Sequence, residues 1–481
     1  MTNSDKYEVV IGLEVHAQLL TKSKLFSGDS ASFGGAPNTH VSPITLAHPG
    51  TLPKMNRKAI EYAIKLGLAL KCEIEQVNYF ARKNYFYPDL PKGYQISQHT
   101  TPICKNGHVS IKTNGEERKI HLNRIHIEED AGKSLHDVDE AYTAIDLNRA
   151  GVPLLEIVSE PDLHSSEEAF AYVTELRRLV RWLNICDGNM EEGSMRCDAN
   201  ISIRLKGTTK LGTRVEVKNL NSIRNVKRAI DLEVERLIAI VENGEVIQQE
   251  TRSYNADNNT SFSLRSKEDA DDYRYFPDPD LTPFNITDEF LTEIKAGLPA
   301  LPEELEKKYL EVFNLTSYDA GVICSDRSLV NFYEAIVAHT ANHKAAANWL
   351  MGPVKSYLND HGIDIAEFPV QPKKIAALID LVDEGKVSFN IASTRILAAA
   401  MVNPAKEPAQ LATEMNLLQE SDSEAITGWV SEVIARMPDK VKEYQGGKKG
   451  LIGLFAGEVK KLSKGKADMQ VVNKLLAEKL N

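Results

Sequence analysis

Three stretches of the chain alternate apolar and polar residues so that acidic side chains collect on one face. A β-strand points successive side chains to opposite faces. The polar members are Glu14, His16 and Gln18 in residues 9–19, Arg196, Asp198, Asn200 and Arg204 in residues 195–205, and Arg214, Glu216 and Lys218 in residues 214–218. Carboxylates bind Mg²⁺, and cationic side chains neutralise a transferred phosphoryl group. The pattern therefore indicates a nucleotide site with Mg²⁺; the alternative is the ordinary solvated face of an antiparallel sheet.

A fourth stretch, which begins at His126, ends in the three consecutive acids Glu128, Glu129 and Asp130. In a regular strand Glu129 would face away from His126, and only a bulge or a strand end would turn it back. Residues 131–134 contain the fragment Gly-Lys-Ser, but Ile127 occupies the position of the upstream glycine, so a P-loop is excluded. A phosphoryl-transfer site in this chain must therefore be built without a glycine-rich loop.

Residues 79–94 are rich in aromatic and basic side chains. Six aromatic residues occur among these 16, and Arg82, Lys83 and Lys92 lie between them. Aromatic faces combined with cations suit unpaired RNA bases and their phosphates. A packed aromatic loop without a ligand has the same composition, so both interpretations stay open.

The secondary structure predicted to position these residues changes near residue 280, from mainly strands to mainly helices. Before it, strand patterns predominate, and serine caps at Ser165 and Ser222 each precede apolar residues at helical spacing. Because strands and helices follow no regular βαβ order, we expect an α+β domain built on an antiparallel sheet. After the proline-rich stretch 277–302 the pattern is helical, with a second break at residues 403–408.

The composition is that of a globular protein, with 42% hydrophobic and 26% charged residues among 481. Five scattered cysteines, no apolar run long enough to span a membrane and no leader pattern predict a cytoplasmic protein without disulfides. The net charge is −11, yet the residues from Asp439 onward contain ten lysines and five acids, a net charge of +5. A basic tail of this kind is typical of a segment that binds a polyanion such as RNA. The alternative is a lysine-rich helical end that is exposed to solvent and binds no partner.

These segments together resemble the GatB family, the B subunits of tRNA-dependent aspartyl/glutamyl-tRNA(Asn/Gln) amidotransferases. The resemblance is carried by residues 11–16 (IGLEVH), 81–98 (ARKNYFYPDLPKGYQISQ), 126–133 (HIEEDAGK), 146–156 (DLNRAGVPLLE), 190–203 (MEEGSMRCDANISI), 216–223 (EVKNLNSI) and 265–279 (RSKEDADDYRYFPDP). It continues to the end of the chain through residues 348–352 and 464–468.

The resemblance implies a glutamine-synthetase-like first domain whose cradle-shaped sheet binds ATP and Mg²⁺. In that family the side-chain carboxylate of Glu-tRNA(Gln) or Asp-tRNA(Asn) is activated as an acyl phosphate. Ammonia from a partner, the A-type amidase subunit, then displaces the phosphate, and a small C-type subunit joins the complex. We expect three domains in this chain: the catalytic cradle in residues 1–293, a helical domain in 294–405 and a basic, tRNA-binding helical tail in 406–481.

There are two alternatives to this interpretation, of which the first stays open. A non-catalytic RNA-binding scaffold would hold the amidase and tRNA together, and it would have no reason to bring metal ligands to one point. A related archaeal-type subunit is specific for glutamate, but it carries an inserted domain for which 481 residues leave no room.

Carried over residue by residue, the resemblance assigns a metal site to His16, Glu129, Asp198 and Glu216. The remaining expected contacts are Glu14, Glu128 and Asn200 for the cofactor, Arg149, Arg214 and Lys218 for phosphate, Lys83, Tyr85 and Lys92 for the tRNA 3′ end, and Lys448, Lys449, Lys460, Lys461, Lys464 and Lys466 for the tRNA backbone. Many family members hold zinc with cysteines at four positions where this chain has Ser27, Asp29, Ser42 and Thr45. No structural zinc is therefore expected.

Overall fold

The structure, a computed structural model, describes residues 6–266, 273–418, 423–463 and 467–480. The chain divides into two compact units, one extending to Leu301 and the other beginning at Pro302. In the first unit a large sheet packs against helices, whereas the described elements of the second unit are helical.

One large sheet organises the first unit. The strands of this unit are β1 (Tyr7–Gln18), β2 (Glu73–Ile74), β3 (Val77–Asn78), β4 (Ala81–Asn84), β5 (Tyr94–Ser97), β6 (Cys104–Lys105), β7 (His108–Thr113), β8 (Glu116–Glu129), β9 (Lys133–Leu135), β10 (Ala144–Asp146), β11 (Pro153–Ser159), β12 (Met195–Leu205), β13 (Val215–Leu220), β14 (Glu250–Asn255), β15 (Thr260–Ser266), β16 (Phe276–Pro277) and β17 (Phe284–Asn285). The large sheet has the order β15-β14-β13-β12-β1-β11-β8-β6-β2, and β7 also pairs with β8.

The large sheet is mixed, whereas the sequence predicted an antiparallel sheet, and one helix of the first unit explains the difference. In its described residues the first unit has four α-helices. They are α1 (Arg57–Ala69), α2 (Ser166–Trp182), α3 (Ile223–Glu242) and α4 (Asp288–Ala296). Helix α3 carries the chain from β13 to β14, and these two strands pair in parallel. A parallel pair requires such a crossover connection, whereas the other pairs in the large sheet are antiparallel.

The apolar face of β1 fixes the orientation of its polar residues. Ile11, Leu13 and Val15 are completely buried in the core, where helices α2 and α3 pack against the sheet. Burying one such side chain contributes about 1.5–3 kcal/mol, and a slip of one residue would reverse both faces of the strand. The predicted serine caps are confirmed, because Ser165 accepts from Glu168 N and Ser222 accepts from Asn225 N.

A small sheet of order β16-β4-β5 joins two segments that are far apart in sequence. Its register sets Phe276 opposite Arg82 and Pro277 opposite Ala81. Arg82 secures the pairing through ion pairs with Asp278 at 2.8 Å and Asp280 at 2.9 Å. The segment after residue 272 is therefore fastened beside the aromatic segment of residues 79–94.

The second unit is helical in its described residues. Its α-helices are α5 (Pro302–Glu311), α6 (Ser317–Ile323), α7 (Arg327–Val337), α8 (His343–Trp349), α9 (Lys355–His361), α10 (Pro372–Asp383), α11 (Phe389–Ile391), α12 (Leu397–Val402), α13 (Pro408–Glu414), α14 (Ser423–Arg436), α15 (Pro438–Gln445), α16 (Ile452–Leu462) and α17 (Met469–Leu480). In the described part of the chain, no helix is both long and apolar enough to cross a bilayer.

Within this second unit, the last helices have a core of their own. Ile426, Val430, Phe455 and Leu476 from α14, α16 and α17 belong to one buried cluster. Helix α13 instead packs against α10. Near α13 the amine of Lys374 donates to the carbonyls of Pro404 at 2.5 Å and Lys406 at 2.8 Å. The division into three domains stays a prediction.

Candidate active site

Strand pairing brings polar residues from five neighbouring strands, β8, β11, β1, β12 and β13, onto one face of the large sheet, with a shift in the register of β12 and β13 between Cys197 and Ala199. The directly opposed pairs are Glu14 with Asp198, His16 with Glu156, Asn200 with Glu216, and Glu156 with His126. Because opposed residues have Cβ atoms about 5 Å apart, their functional groups meet. They form two clusters with the geometry of cation sites.

The first cluster consists of His16, Glu128 and Glu156, which each offer a ligand atom within 4.8 Å of the others. His16 Nε2 lies 3.2 Å from Glu156 Oε2 and 3.9 Å from Glu128 Oε1. His126 Nε2 stands beside the same carboxylates, at 3.5 Å from Glu128 and 3.6 Å from Glu156. The cluster therefore combines two carboxylates with two imidazoles.

Burial and charge act in opposite directions on the groups of the first cluster. Burial alone would lower the pKa of His16, but the hydrogen bond and charge of Glu156, together with Glu128 and Asp198, raise it to about 9. Burial alone would raise the pKa of Glu156, but His126 and His16 hold it well below its usual range. The raised pKa of His16 thus favours a charged imidazole that offsets these carboxylates, a role that a divalent cation fills equally.

The second cluster consists of Glu14, Asp198 and Glu216, again with ligand atoms within 4.8 Å of one another. Lys218 Nζ lies 2.9 Å from Asp198 Oδ2 and 3.4 Å from Glu216 Oε1. Asn200 Nδ2 donates to Glu14 Oε1 at 2.9 Å. Since all three candidate ligands are carboxylate oxygens, the chemistry of this donor set fits Mg²⁺.

The carboxylates of the second cluster repel one another. Burial raises the pKa of Glu14, and the charges of Glu156, Glu216 and Asp198 raise it further, while Lys218 opposes them. Burial lowers the pKa of Lys218, but Asp198 and Glu216 more than reverse this and raise it. A site that gathers like charges in this way binds a cation favourably because the cation removes the repulsion.

An open cleft of about 470 Å³ borders the second cluster. Its lining includes Gly12, Glu14, Ser159, Asn200, Ser202 and Arg214. The amide oxygen of Asn200 is buried and has no hydrogen-bond partner among the described residues, so the cleft offers an acceptor to a bound molecule. Arg214 lies immediately before β13 and is exposed, which leaves its charge accessible to an anion. The cleft thus combines polar and charged groups that could bind phosphate or ribose with an apolar lining that could contact a base.

Glu129, one of the predicted metal ligands, joins neither cluster. The register of β8 and β11 stays regular from His126 to Glu129, without the bulge that would turn Glu129 onto the polar face. Its carboxylate instead accepts from Ile96 N at 2.8 Å and pairs with Lys92. Glu129 and Lys92 line a separate cavity of about 240 Å³.

Of the other residues predicted to contact substrates, some lie near a cluster and others lie away from both. Lys83 interacts electrostatically with Glu128 and Glu156 of the first cluster and lies 5.8 Å from the ring of Tyr85. Arg149 is apart from both clusters, because it donates to the carbonyls of Ala131 at 2.9 Å and Gly132 at 2.7 Å.

Ser27, Ser42 and Thr45, which stand with Asp29 at the positions of the family's zinc-binding cysteines, form hydrogen bonds to Asp29. Its carboxylate accepts from Ser42 N at 2.8 Å, from Ser27 Oγ at 3.2 Å and from the hydroxyl of Thr45. Burial alone would raise the pKa of Asp29, but these hydrogen bonds lower it. Polar contacts thus connect the two parts of this loop.

The lysines of the tail are partly engaged by residues of their own unit. Lys448 pairs with Glu443 at 3.1 Å and Lys461 with Glu458 at 2.6 Å, while Lys449 Nζ lies 4.3 Å from the ring centre of Tyr444. Lys460 is exposed on α16. Lys464 and Lys466 lie outside the described residues.

Sequence reasoning missed Glu156 as a member of the site. The signal was present, because Leu155 and Ile157 are buried and leave Glu156 on the polar face of β11. His126, noted only as the start of an acidic stretch, also borders the first cluster. Both residues lie in segments that carry the family resemblance.

Comparison with known families identifies the class to which this fold and site belong. The family described as "GatB/GatE catalytic domain" matches residues 9–292, which contain both clusters. A second family, described as "GatB domain", matches residues 331–480 of the helical part. The chain thus combines a catalytic domain of the GatB/GatE class with a GatB-type helical region.

Full-length relatives narrow this class to one family. The chain is 49% identical over 478 residues to the aspartyl/glutamyl-tRNA(Asn/Gln) amidotransferase B subunit of Alkalilimnicola ehrlichii, covering 99% of this chain and all of the relative. Proteins of the same name from Syntrophotalea carbinolica and Geotalea daltonii are 48% and 49% identical, each over 99% of both chains. The chain therefore belongs to the family of amidotransferase B subunits.

Proposed function

We propose that this chain is the member of a tRNA-dependent amidotransferase that uses ATP to activate the side-chain carboxylate of Glu-tRNA(Gln), Asp-tRNA(Asn) or both. The observation that carries the proposal is the convergence of two acidic clusters on one sheet face beside an open cleft. A non-catalytic scaffold has no need for such a convergence, because gathering buried carboxylates is unfavourable without a cation.

Ammonia does not react readily with a carboxylate, because the carboxylate carbon is a poor electrophile and its oxygen is a poor leaving group. Transfer of the γ-phosphoryl group of ATP to a carboxylate oxygen breaks the bond between the γ-phosphorus and the bridging oxygen and releases ADP. The product is an acyl phosphate, in which phosphate is a good leaving group. Ammonia then attacks the acyl carbon, the bond from that carbon to the phosphate oxygen breaks, and the side-chain amide and inorganic phosphate result. Catalysis of the first step depends mainly on positioning and on neutralising the phosphoryl oxygens.

The second cluster and the cleft are assigned to the nucleotide. Glu14, Asp198 and Glu216 would hold Mg²⁺, which when bound neutralises phosphate oxygens and helps to orient them. Arg214 and Lys218 add positive charge at the same site, and Asn200 offers its free amide oxygen to the nucleotide.

The first cluster is assigned to a second divalent cation near the carboxylate that is activated. We assign Glu128 and Glu156 to this site together with His16, and we leave out Glu129 because it faces away and pairs with Lys92. Lys83 and Tyr85 border the first cluster and form the path for the tRNA 3′ end. Lys92 and Arg149 support the surrounding loops.

The proposed protein partners are those that membership of the amidotransferase B-subunit family implies. Ammonia comes from an A-type amidase subunit held in complex with a small C-type subunit. The tRNA backbone contacts the tail, where Lys448, Lys449, Lys460 and Lys461 supply positive charge, together with Lys464 and Lys466. These phosphate contacts predict binding that weakens steeply with salt.

Reconstitution tests the proposal directly. The chain is combined with its amidase and small subunits and supplied with glutamine, ATP and either Glu-tRNA(Gln) or Asp-tRNA(Asn). We expect amidated product and one phosphate per amide with at least one of these tRNAs, and neither product nor phosphate without mischarged tRNA. Amide formation without ATP would refute the activating role.

A further inference from the structure

A group of aromatic rings lies near the first cluster, and of these rings only Tyr85 has so far been given a role. We name it the aromatic platform and define it as Tyr85, Tyr87, His99, Tyr273 and Tyr275. Ring centres of neighbouring tyrosines are 5.7 Å apart for Tyr85 and Tyr87, and 6.1 Å apart both for Tyr85 and Tyr273 and for Tyr273 and Tyr275. The ring of His99 stacks on Tyr275 at 4.1 Å.

The platform is assembled from segments about 190 residues apart, which makes its arrangement a product of the fold. Pairing of β16 with β4 brings the segment after residue 272 against residues 81–84. Asn84 Nδ2 donates to the carbonyls of Tyr273 at 3.1 Å and Arg274 at 2.8 Å. These bonds hold Arg274 in the left-handed conformation, with φ of 44°, which is unfavourable for a residue that is not glycine.

Positive charge accompanies the rings. Lys83 Nζ lies 4.8 Å from the ring centre of Tyr273, and Arg274 is exposed between Tyr273 and Tyr275. Tyr87 keeps 51% of its surface exposed. Stacking surfaces flanked by cations suit single-stranded nucleic acid, whose bases stack on aromatic rings while its phosphates contact lysine and arginine.

The platform and the nucleotide cleft border different clusters. The cleft borders Glu14 and Asn200 at the second cluster, whereas Ser97 Oγ, two residues before His99 of the platform, donates to Glu128 Oε2 of the first cluster at 3.4 Å. A molecule whose end reaches the first cluster can therefore lie on the platform without entering the cleft. In a tRNA, the activated carboxylate is attached to the last nucleotide of an unpaired end.

We propose that the aromatic platform stacks the unpaired bases at the 3′ end of the tRNA and thereby delivers the amino acid to the first cluster. This inference rests on the proposed function and adds Tyr87, His99, Tyr273 and Tyr275 as residues that position the substrate. Because stacking reads no base edges, it serves tRNA(Gln) and tRNA(Asn) equally.

The test compares intact uncharged tRNA with tRNA lacking its unpaired 3′ nucleotides, using the complex of the chain with its partner subunits. Tyr273→Leu keeps an apolar side chain but removes the ring, Tyr273→Phe keeps the ring, and Tyr142→Leu removes an exposed tyrosine elsewhere. We expect Tyr273→Leu to weaken binding of intact tRNA at least about fivefold and to leave binding of shortened tRNA unchanged. Tyr273→Phe and Tyr142→Leu should bind both tRNAs as the wild type does.

Several outcomes would overturn the platform. Equal weakening for intact and shortened tRNA would mean that Tyr273 supports the fold, and no weakening for either would mean that the ring contacts no RNA. A rise in the KM for ATP with unchanged tRNA binding would assign the rings to the nucleotide instead. His99→Leu provides a second variant at the other end of the platform, and it should discriminate between the two tRNAs in the same way.

Failure of the platform and failure of the proposed function give different results. If wild-type complex forms no amide with either mischarged tRNA, the proposed function fails whatever the binding data show. If wild-type complex is active and Tyr273→Leu binds intact tRNA normally, only the platform fails.

Discussion

The sheet of the first unit and the tail of the second both concentrate charge, but they use it in opposite ways. On the sheet, strand register holds Lys218 at 2.9 Å from Asp198 and 3.4 Å from Glu216, and both carboxylates are largely removed from water. In the tail, exposed lysines such as Lys461 contact acids of the same helix. Exposed pairs of this kind contribute little to stability, so a phosphate can displace them readily.

The difference in burial suggests that the charges of the sheet serve catalysis and that the charges of the tail serve binding. Fixed, buried charges act strongly on reacting atoms because little reorganisation accompanies the reaction. Mobile, exposed charges give affinity that depends on salt and not on exact geometry. Changes in the sheet should therefore stop chemistry while sparing tRNA binding, and changes in the tail should do the reverse.

The largest expected effect comes from Asp198→Ala. Removal of this carboxylate deletes a ligand of the second cluster and leaves Lys218 without its nearest partner. ATP-dependent amidation by the reconstituted complex should fall by about 10³-fold, while tRNA affinity changes little. Asp257→Ala, at an exposed turn between β14 and β15, is the control and should retain activity. Phosphate release at the wild-type rate by Asp198→Ala would remove the sheet from the mechanism.

The next effect concerns the dependence on divalent cations. Glu156→Gln keeps the shape of the side chain but removes its charge from the first cluster. The Mg²⁺ concentration needed for half-maximal activity should rise about 10- to 100-fold. Glu160→Gln, just beyond the end of β11, is the control. An unchanged Mg²⁺ dependence in Glu156→Gln would show that the first cluster holds no cation that the reaction needs.

A smaller effect is expected in the tail, where substitution is preferable to deletion. Truncation at residue 439 would remove Phe455 and Leu476 from the core formed with α14. Replacing Lys448, Lys460 and Lys461 by glutamine should weaken tRNA binding about tenfold near 0.1 M salt and flatten its salt dependence. Glutaminase activity of the partner should persist. Lys307→Gln with Lys386→Gln is the control, and loss of affinity there as well would indicate a general charge effect.

The smallest effect is a pH-dependent contribution of His16 to folding. The pKa of His16 is about 9 in the folded chain and about 6.5 when unfolded. Because the folded state binds the proton more tightly, this contribution is complete below about pH 6.5 and is lost as pH rises towards 9. In buffer with a chelator, the free energy of unfolding of wild type should exceed that of His16→Gln by about 1–3 kcal/mol at pH 6. A difference that grows between pH 6 and 9.5 would contradict the assigned charges.

Much of the sheet could be predicted because burial imposes a period of two on the sequence. The alternation in β1 and β12 identified both faces, and Glu14, His16, Asp198 and Glu216 lie on the polar one. The serine caps of α2 and α3 were equally local signals. Such features depend on neighbouring residues alone and are therefore visible in the sequence.

Features that depend on strand neighbours were harder to predict. No local pattern shows that β11 lies between β1 and β8 and so carries Glu156 to His16. The parallel pairing of β13 with β14 depends on the path of α3. The family resemblance predicts Glu129 as a metal ligand, whereas simple alternation along β8 predicts that it lies on the other face, as the register shows. In that case the local rule was the better guide.

The central claim is that the sheet face transfers a phosphoryl group from ATP to the side-chain carboxylate of the mischarged tRNA. Glutamate whose two side-chain carboxylate oxygens are ¹⁸O is attached to tRNA(Gln) and amidated by the reconstituted complex, and aspartate on tRNA(Asn) is treated in parallel. The released phosphate should carry one ¹⁸O atom for each amide formed. Amide formation accompanied by unlabelled phosphate would contradict the central claim.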